Sequence, residues 1–263
     1  MLNVNRKRHL VDRLPKWSLW GSLASVLWLA TTGPQALSEE LNWWRYQLAD
    51  SQIADKPIEY RPPMRGEPQS RVGGATRGMT IEESGDSSLS AEALAPPHTG
   101  LTISEQPTLY WYLSSSSFAR IEVAREVEGA YRTVLQVDYP EALRPGIHAF
   151  SFADYNMLLE LETDYRWSLT LQSSSYGDDG GEPASATIRR VTPPPSLASQ
   201  LSQGGDVPSY YTLAEYGIWY DALHDLAEAM AEAPENGQLR ERWAELLHQA
   251  DLSEAAAFEP SQP

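Results

Sequence analysis

Cysteine is absent from the 263 residues of this chain. Without thiols, no disulfide framework, zinc–thiolate site, iron–sulfur cluster or cysteine nucleophile can form. Basic charge is also scarce, since 20 Lys and Arg face 36 Asp and Glu and give a formal net charge of −16. Such a surface repels nucleic acid and anionic lipid, so we expect no nucleic-acid partner.

Recognisable catalytic motifs are missing as well. The sequence has no Gly-x-Ser-x-Gly elbow, no dinucleotide fingerprint and no Ser-x-x-Lys. Its histidines, at positions 9, 98, 148, 224 and 248, show no pair at metal-ligand spacing. The carboxylates of Asp178, Asp179 and Glu182 are clustered as Ca²⁺ requires, but without EF-hand spacing, and an acidic hairpin loop is the alternative. We therefore predict a non-enzyme, with no catalytic residue, no cofactor and no metal.

Residues 1–38 have the pattern of an export signal. Basic residues between Arg6 and Lys16 precede the apolar run Leu19 to Ala30, and the small residues of Ala36-Leu37-Ser38 offer a cleavage site. The run is short for a bilayer span, although an uncleaved anchor is the alternative. We predict an exported protein of the periplasm or cell exterior, with no membrane span after cleavage.

Residues 39–95 are rich in Pro, Gly, Ser and charge, which indicates a largely irregular arm. Within the arm, Arg71, Gly73, Gly74 and Arg77 form a Gly/Arg motif. Backbone amides of such a segment can form a nest for an anion. The alternative is a structural clip, because glycine-rich loops commonly serve turns.

Short strand patterns recur over residues 96–192, at the spacing of a β-sandwich. In the first, Leu109, Trp111 and Leu113 alternate with Tyr110 and Tyr112, so both faces of the strand are predicted to be covered. Further strands are predicted over 118–126, 131–139, 147–152, 165–172 and 185–191, with Thr133, Leu135 and Val137 facing inward. Tyr165 follows Leu159 at the spacing of a tyrosine corner. An immunoglobulin- or fibronectin-III-like sandwich is the predicted fold of this domain.

After the sandwich, residues 193–207 are predicted to be a proline-rich linker, and the apolar period then changes from two to about 3.6 over 208–258. We predict helices over 208–216 and 219–231 and, capped by Asn236, to about 249. Thr212 and Glu215 form a capping box that would start the first helix late. The predicted class is α+β, an all-β domain followed by an α-helical tail.

The helical tail carries many aromatic residues. Such rings are the anchors that protein interfaces favour. The predicted partner-binding residues are Tyr210, Tyr211, Tyr216, Trp219, Tyr220 and Trp243. We therefore predict an interaction or scaffold module whose helical pair recognises a protein of the cell envelope, with a second copy of the chain as an alternative partner.

A carbohydrate-binding sandwich at the cell surface is the alternative function. Aromatic rings on a sandwich face can stack on sugars, although aromatic residues in strands more often belong to the core. The tyrosines concerned are Tyr110, Tyr112, Tyr139, Tyr155 and Tyr176.

Two resemblances add to these patterns. Residues 217–236, with Gly217, Trp219, Ala222, Ala229 and Pro234, resemble the second half of a tetratricopeptide repeat. Only about one and a half repeats are present, fewer than a free-standing solenoid needs, so the tail is expected to lean on the sandwich or on another chain.

The second resemblance covers residues 61–252. The motifs that carry it are Arg71-Val-Gly-Gly-Ala-Thr-Arg77-Gly, the stretch Leu101 to Tyr112, Tyr165-Arg-Trp167, Tyr216 to Leu223, and Trp243-Ala-Glu-Leu-Leu247. In this order they are similar to the bacterial family catalogued as "domain of unknown function 928". The resemblance implies an exported protein and assigns no activity.

Overall fold

The computed structural model describes residues 56–63, 74–75, 90–172, 183–204 and 207–258. All of them belong to the second of two compact units, which spans Trp43–Pro263. The predicted signal, most of the predicted arm and the acidic loop at 178–182 lie outside the described residues.

The described strands form two sheets. One has the order β1-β2-β4-β7 and the other β3-β9-β8-β5-β6, and every neighbouring pair is antiparallel except β3–β9. The strands are β1 (Gly74–Ala75), β2 (Ser90–Ala93), β3 (Gly100–Thr102), β4 (Thr108–Leu113), β5 (Phe118–Val127), β6 (Ala130–Asp138), β7 (Gly146–Ser151), β8 (Asp164–Gln172) and β9 (Ala184–Arg190).

Strand β4 confirms the alternation predicted for it. Leu109, Trp111 and Leu113 are fully buried on one face. On the other face Tyr110 is also buried, and its ring lies edge-on to Trp243 in the helical tail. A strand covered on both faces explains why β4 is apolar throughout.

The β5–β6 hairpin corrects the prediction for Thr133. Its turn is Glu128-Gly129, both with positive φ, as a two-residue type I′ turn requires. A bulge shifts the register between Val123 and Ala124, so Thr133 pairs with Ala124 instead of facing inward. An extra residue in one strand reverses the side-chain alternation beyond it. Thr133 is therefore exposed and donates to Glu122 on the outer face, at 2.9 Å.

The loop before β8 confirms the tyrosine corner. The Glu160 backbone amide donates to the Tyr165 hydroxyl at 3.2 Å, which ties the strand to the loop that it leaves. Along β8, Tyr165, Trp167, Leu169 and Leu171 are all buried, as the alternation predicts. This strand lies between β5 and β9 and is central to the five-stranded sheet.

The predicted irregular arm contributes strands to the fold. β2 pairs with β4 across Ala91, Glu92 and Ala93, although these residues lie within the predicted arm. Its burial alternates, but Ala and Ser carry too little apolar or β-branched character to mark a strand in the sequence. Leu94 and Ala95, just after β2, are fully buried in the core.

Five helices are described after the sheets. They are α1 (Pro195–Gln203), α2 (Ser209–Glu215), α3 (Trp219–Glu232), α4 (Gly237–His248) and α5 (Ser253–Ala256). The Asn236 cap is confirmed, since its side chain accepts from the Gln238 amide at 3.0 Å.

Two predictions for this region are wrong. The predicted linker contains α1, whose first residue is Pro195, because proline is favoured in the first turn of a helix. Thr212 lies inside α2 and does not start it, since Pro208 occupies the N-cap position.

Helices and sheets share one hydrophobic core. Tyr220 of α3 accepts a hydrogen bond from Trp167 Nε1 of β8 at 2.9 Å, and Trp219 Nε1 donates to the Leu94 carbonyl at 2.9 Å. The expectation that the tail leans on the sheets is thus confirmed, while the predicted linker marks no boundary between two cores. Among the helices described, none is both long and apolar enough to cross a membrane.

Candidate functional site: a groove that holds an extended segment

Residues 56–63 run as an extended segment along the C-terminal helices. Ile58 and Tyr60 are buried, whereas Pro57, Glu59 and Arg61 are exposed. An alternation of period two means that one edge of the segment is inserted and the other faces solvent. We call residues 56–63 the strap, and the surface of α2, α3 and α4 beneath it the groove.

The groove holds the strap by its backbone. Gln249, directly after α4, accepts from the Tyr60 amide at 2.8 Å and donates to the Ile58 carbonyl at 2.9 Å. Glu245, one turn earlier, accepts from the Ile58 amide at 3.2 Å. Two side chains thereby replace the neighbouring strand that an extended backbone would pair with in a sheet.

An arginine fixes the carboxylate of Glu245. Arg242 is 7 % exposed, and its Nη1 lies 2.6 and 2.5 Å from the two carboxylate oxygens. Charge-assisted contacts of this kind are stronger than neutral ones and restrict the rotamer. The bond to Arg242 therefore holds the Glu245 carboxylate in place independently of the strap amide.

Two side chains of the strap are buried, and one of them, Tyr60, faces aromatic partners. The Tyr60 ring meets Trp219 edge-on, with centroids 4.9 Å apart, and its hydroxyl lies 2.9 Å from His98 Nε2. Burial raises the pKa of Tyr60 well above its ordinary value, so the phenol stays neutral. Ile58 is 2 % exposed. These are the two strap positions at which the side chain is enclosed by the groove.

Both ends of the strap are also tied. The Tyr211 hydroxyl donates to the Lys56 carbonyl at 3.0 Å, and Lys56 Nζ lies 2.9 Å from Glu215. At the other end, the Arg61 amide donates to the Ala214 carbonyl at 3.1 Å. Gly217 lies beneath, where a Cβ atom would come within 2.6 Å of the Arg61 carbonyl.

A pocket of about 200 Å³ opens where the strap ends. Pro63, His98, Glu162, Arg189 and Tyr216 are among its lining residues. His98 contacts Tyr60, and the Arg189 guanidinium is held by Asp164 through bonds of 2.5 and 2.6 Å. The pocket thus extends the groove, and two of its ionisable side chains already bond to the protein.

Two carboxylates lie one turn apart on α3, one at its contact with the chain after β3 and the other at its contact with α2. Asp221 accepts from the Ile103 amide at 3.2 Å, and Asp225 accepts from the Ser209 hydroxyl. Burial raises the pKa of Asp221 to about 6, and it also raises the pKa of Asp225. These contacts serve the packing of α3, and they lie apart from the strap contacts described above.

No metal centre is found in the described part of the chain, where no three His, Asp or Glu side chains gather closely enough to hold an ion. The acidic residues Asp178, Asp179 and Glu182 lie outside the described residues.

The predicted aromatic anchors are, with one exception, interior residues. Tyr210, Tyr211, Trp219, Tyr220 and Trp243 are each 7 % exposed or less. The prediction of an exposed aromatic surface is therefore wrong, because the tail has the sheets and the strap to bury these rings. Tyr216 is half-buried, and its hydroxyl accepts from Gln200 at 3.2 Å beside the pocket.

The Gly/Arg motif is described at one position only. Gly74 begins β1 and pairs with Ala91, while Arg71, Gly73 and Arg77 lie outside the described residues. The anion nest and the clip therefore stay predictions.

Four of the five tyrosines considered for sugar binding lie against another ring. Their partners are Trp243 for Tyr110, Phe258 for Tyr112, Trp111 for Tyr139 and Phe150 for Tyr155. Tyr155 has the largest exposed fraction, 42 %. Tyr176 lies outside the described residues.

Sequence reasoning missed the strap and the side chains that hold it. Pro57-Ile58-Glu59-Tyr60 alternates apolar and polar residues between prolines, which is a short strand signal inside a segment otherwise typical of disorder. Gln249 carried no signal, because a glutamine at a helix end is ordinarily solvated.

A comparison with curated proteins finds no match for this chain. A family model does match, over residues 72–260, and its description is Domain of Unknown Function (DUF928). The matched region includes β2 to β9 and the groove, whereas the strap precedes it. Because the match covers well over half of the sequence, the chain belongs to the DUF928 family.

Proposed function

We propose that this protein is a non-enzymatic interaction or scaffold module, and that its C-terminal helices recognise an extended segment of a protein partner. The observation that carries the proposal is the double hydrogen bond of Gln249 to the strap backbone. Side chains that pair with backbone groups bind an extended chain of varied sequence, and flanking pockets add side-chain preference.

The proposal replaces the exposed aromatic surface with the groove. Trp219 and Tyr211 still contribute to recognition, but from beneath the strap, through a ring contact and a hydroxyl bond. The sheets keep the groove rigid, because Trp219 is also bonded to the core at Leu94. A rigid groove loses less conformational entropy when a ligand binds.

We further infer an immunoglobulin-like relationship for the strands. The order β9-β8-β5-β6 corresponds to the G-F-C-C′ order of variable-type domains, and the tyrosine corner precedes β8 at the position of strand F. The tetratricopeptide-like interpretation of the tail is supported by the turn at Gly217 (φ +74°) between α2 and α3.

We propose that this interaction takes place outside the cytoplasm, after export of the protein. It is supported by the basic residues and apolar run of positions 6–30 and by the absence of cysteine, which leaves no thiol to oxidise outside the cytoplasm. N-terminal sequencing of the exported protein tests it, with a start near residue 39 expected and a start at Met1 contradicting cleavage.

Photo-crosslinking in the native envelope tests the interaction. A photoreactive residue at Glu215, on the rim of the groove, is expected to capture a defined envelope protein. The matched control is Gln136 on the exposed edge strand β6, which should not capture it. Identical capture from both positions, or none from Glu215, would contradict the proposed function.

A further inference from the structure

The groove is filled by the chain itself. The strap follows a backbone path set by Glu245 and Gln249 and inserts side chains at two alternate positions. These contacts join residues more than 180 positions apart in the sequence. The strap is thus held as a ligand would be, by a remote surface and not by its sequence neighbours.

We propose that the strap is an internal ligand, and that the groove accepts in its place a partner's extended segment with an aliphatic residue and, two residues later, a tyrosine. This inference rests on the proposed function, for which it names the partner chemistry. Period-two burial at Ile58 and Tyr60 sets the spacing, and the bond from the tyrosine hydroxyl to His98 favours tyrosine over phenylalanine.

The charges around the groove refine this chemistry. The first strap residue, Lys56, pairs with Glu215, and its ammonium lies 5.5 Å from the centre of the Tyr211 ring. A basic residue two positions before the aliphatic one therefore matches an acidic rim. With a net charge of −16, the whole chain also attracts basic segments over acidic ones.

The family match includes the groove but not the strap. The groove lies inside the region that matches DUF928, whereas the strap lies before it.

Occupation in cis has a measurable consequence. A tethered segment has a high effective concentration, and a free segment binds only to the fraction of molecules whose groove is open. Weakening the strap in the chain should therefore strengthen binding of a free peptide. A groove that had no role in binding would show no such gain, since the weakened chain would bind the peptide no better than the unaltered chain.

The test uses the full chain and a labelled peptide of residues 56–63, Lys-Pro-Ile-Glu-Tyr-Arg-Pro-Pro, followed by fluorescence anisotropy. Ile58→Ala in the chain is expected to bind the peptide about tenfold or more tightly than the unaltered chain. Adding Gln249→Ala should abolish the gain, because both backbone bonds are lost. Adding Gln238→Ala, at the exposed start of the same helix, should preserve it.

A second peptide of identical composition controls for side-chain position. In it, the isoleucine and glutamate are exchanged, as are the tyrosine and arginine, so that polar residues take the inward positions. This peptide should not bind. If Ile58→Ala unfolds at the assay temperature, Tyr60→Phe is the milder variant, since it removes only the hydroxyl at His98, and a smaller gain is expected.

Several results would overturn the inference. They are equal binding by the unaltered and weakened chains, equal binding of the two peptides, or no binding by either weakened variant. A chain that is dimeric and becomes monomeric on addition of the peptide would assign the strap to a second copy instead. Capture of an envelope protein from Glu215, without peptide binding to the weakened chains, would overturn this inference and leave the proposed function standing.

Discussion

At the scale of single residues, Asp221 shows how burial of a carboxylate makes the free energy of unfolding depend on pH. Its pKa is raised to about 6 from an ordinary value of 3.8, because burial penalises the charged form. A folded state that binds its proton more tightly than the unfolded chain is stabilised at low pH. That stabilisation falls as the pH rises from about 4 to about 6.

We therefore predict that Asp221→Asn stabilises the protein above pH 6. Asparagine keeps an oxygen for the Ile103 amide and carries no charge, so the free energy of unfolding at pH 7 should rise by about 1 to 3 kcal/mol. Urea unfolding between pH 4 and 8 measures this, and the variant should show a shallower loss of stability over that range. Glu235→Gln, an exposed acid, is the control, and equal effects of the two would contradict the assignment.

Gly217 lies in the turn between α2 and α3, where the backbone of that turn meets the strap. Its φ of +74° disfavours any residue with a Cβ, and that atom would also lie 2.6 Å from the Arg61 carbonyl. We predict that Gly217→Ala lowers the free energy of unfolding by about 2 kcal/mol or more. It should also expose the strap to proteolysis.

The matched control is Gly237→Ala in the first turn of α4, where a new Cβ meets nothing within 4 Å. There alanine should be neutral or stabilising by about 0.5 to 1 kcal/mol, since it favours helix. Thermal unfolding of the two variants distinguishes the sites. A neutral Gly217→Ala would mean that the strap does not lie against this turn.

At the scale of elements, one hydroxyl joins α3 to the sheet. Tyr220 accepts from Trp167 Nε1 at 2.9 Å and donates to the Thr187 carbonyl at 3.4 Å, all within the core. Tyr220→Phe leaves the indole N–H of Trp167 without this partner. We predict a loss of about 1 to 3 kcal/mol in the free energy of unfolding, the cost of an unsatisfied buried donor.

Tyr131→Phe on the exposed edge strand is the control for this loss, and it should change stability by less than about 0.5 kcal/mol. Urea unfolding at one pH compares the two variants. If both lose the same free energy, the bond between α3 and β8 does not contribute to stability.

The elements that could be predicted from the sequence are those with their own periodicity. Strands β4, β5 and β8 and helices α3 and α4 follow from apolar spacing, and β4 is buried on both faces as predicted. Strand β2 was missed because Ser-Ala-Glu-Ala has no strand character, and only its pairing with β4 makes it one. Thr133 was misplaced because a bulge leaves no mark in the pattern.

The candidate site was predictable only in part. The sequence predicts recognition on the helical tail, but it could not show that the strap covers the Trp219 ring, since that contact joins residues 60 and 219. The many aromatic residues of the tail indicate that much of its surface is buried. The surface that covers them could belong to the same chain or to another one. The sequence does not distinguish these two cases.

At the scale of the whole molecule, sheets, helices and strap form one core. Buried residues run from Ile58 through Trp111 and Trp167 to Trp219 and Leu246 in a single cluster. The sheets and helices of this cluster should lose their structure together, because opening one of them exposes the apolar surface of the others, whereas the strap can leave the groove while they stay folded.

We predict that the sheets and helices, from β2 to α5, unfold in one transition, which release of the strap from the groove can precede. Native-state hydrogen exchange should give the same opening free energy for amides in β8 and in α4. Leu246→Ala, a fully buried change in α4, should lower both by the same amount, about 2 to 4 kcal/mol. Val134→Ala at the exposed bulge is the control and should change neither. Two transitions, or a loss confined to α4, would show that the helical tail folds apart from the sheets.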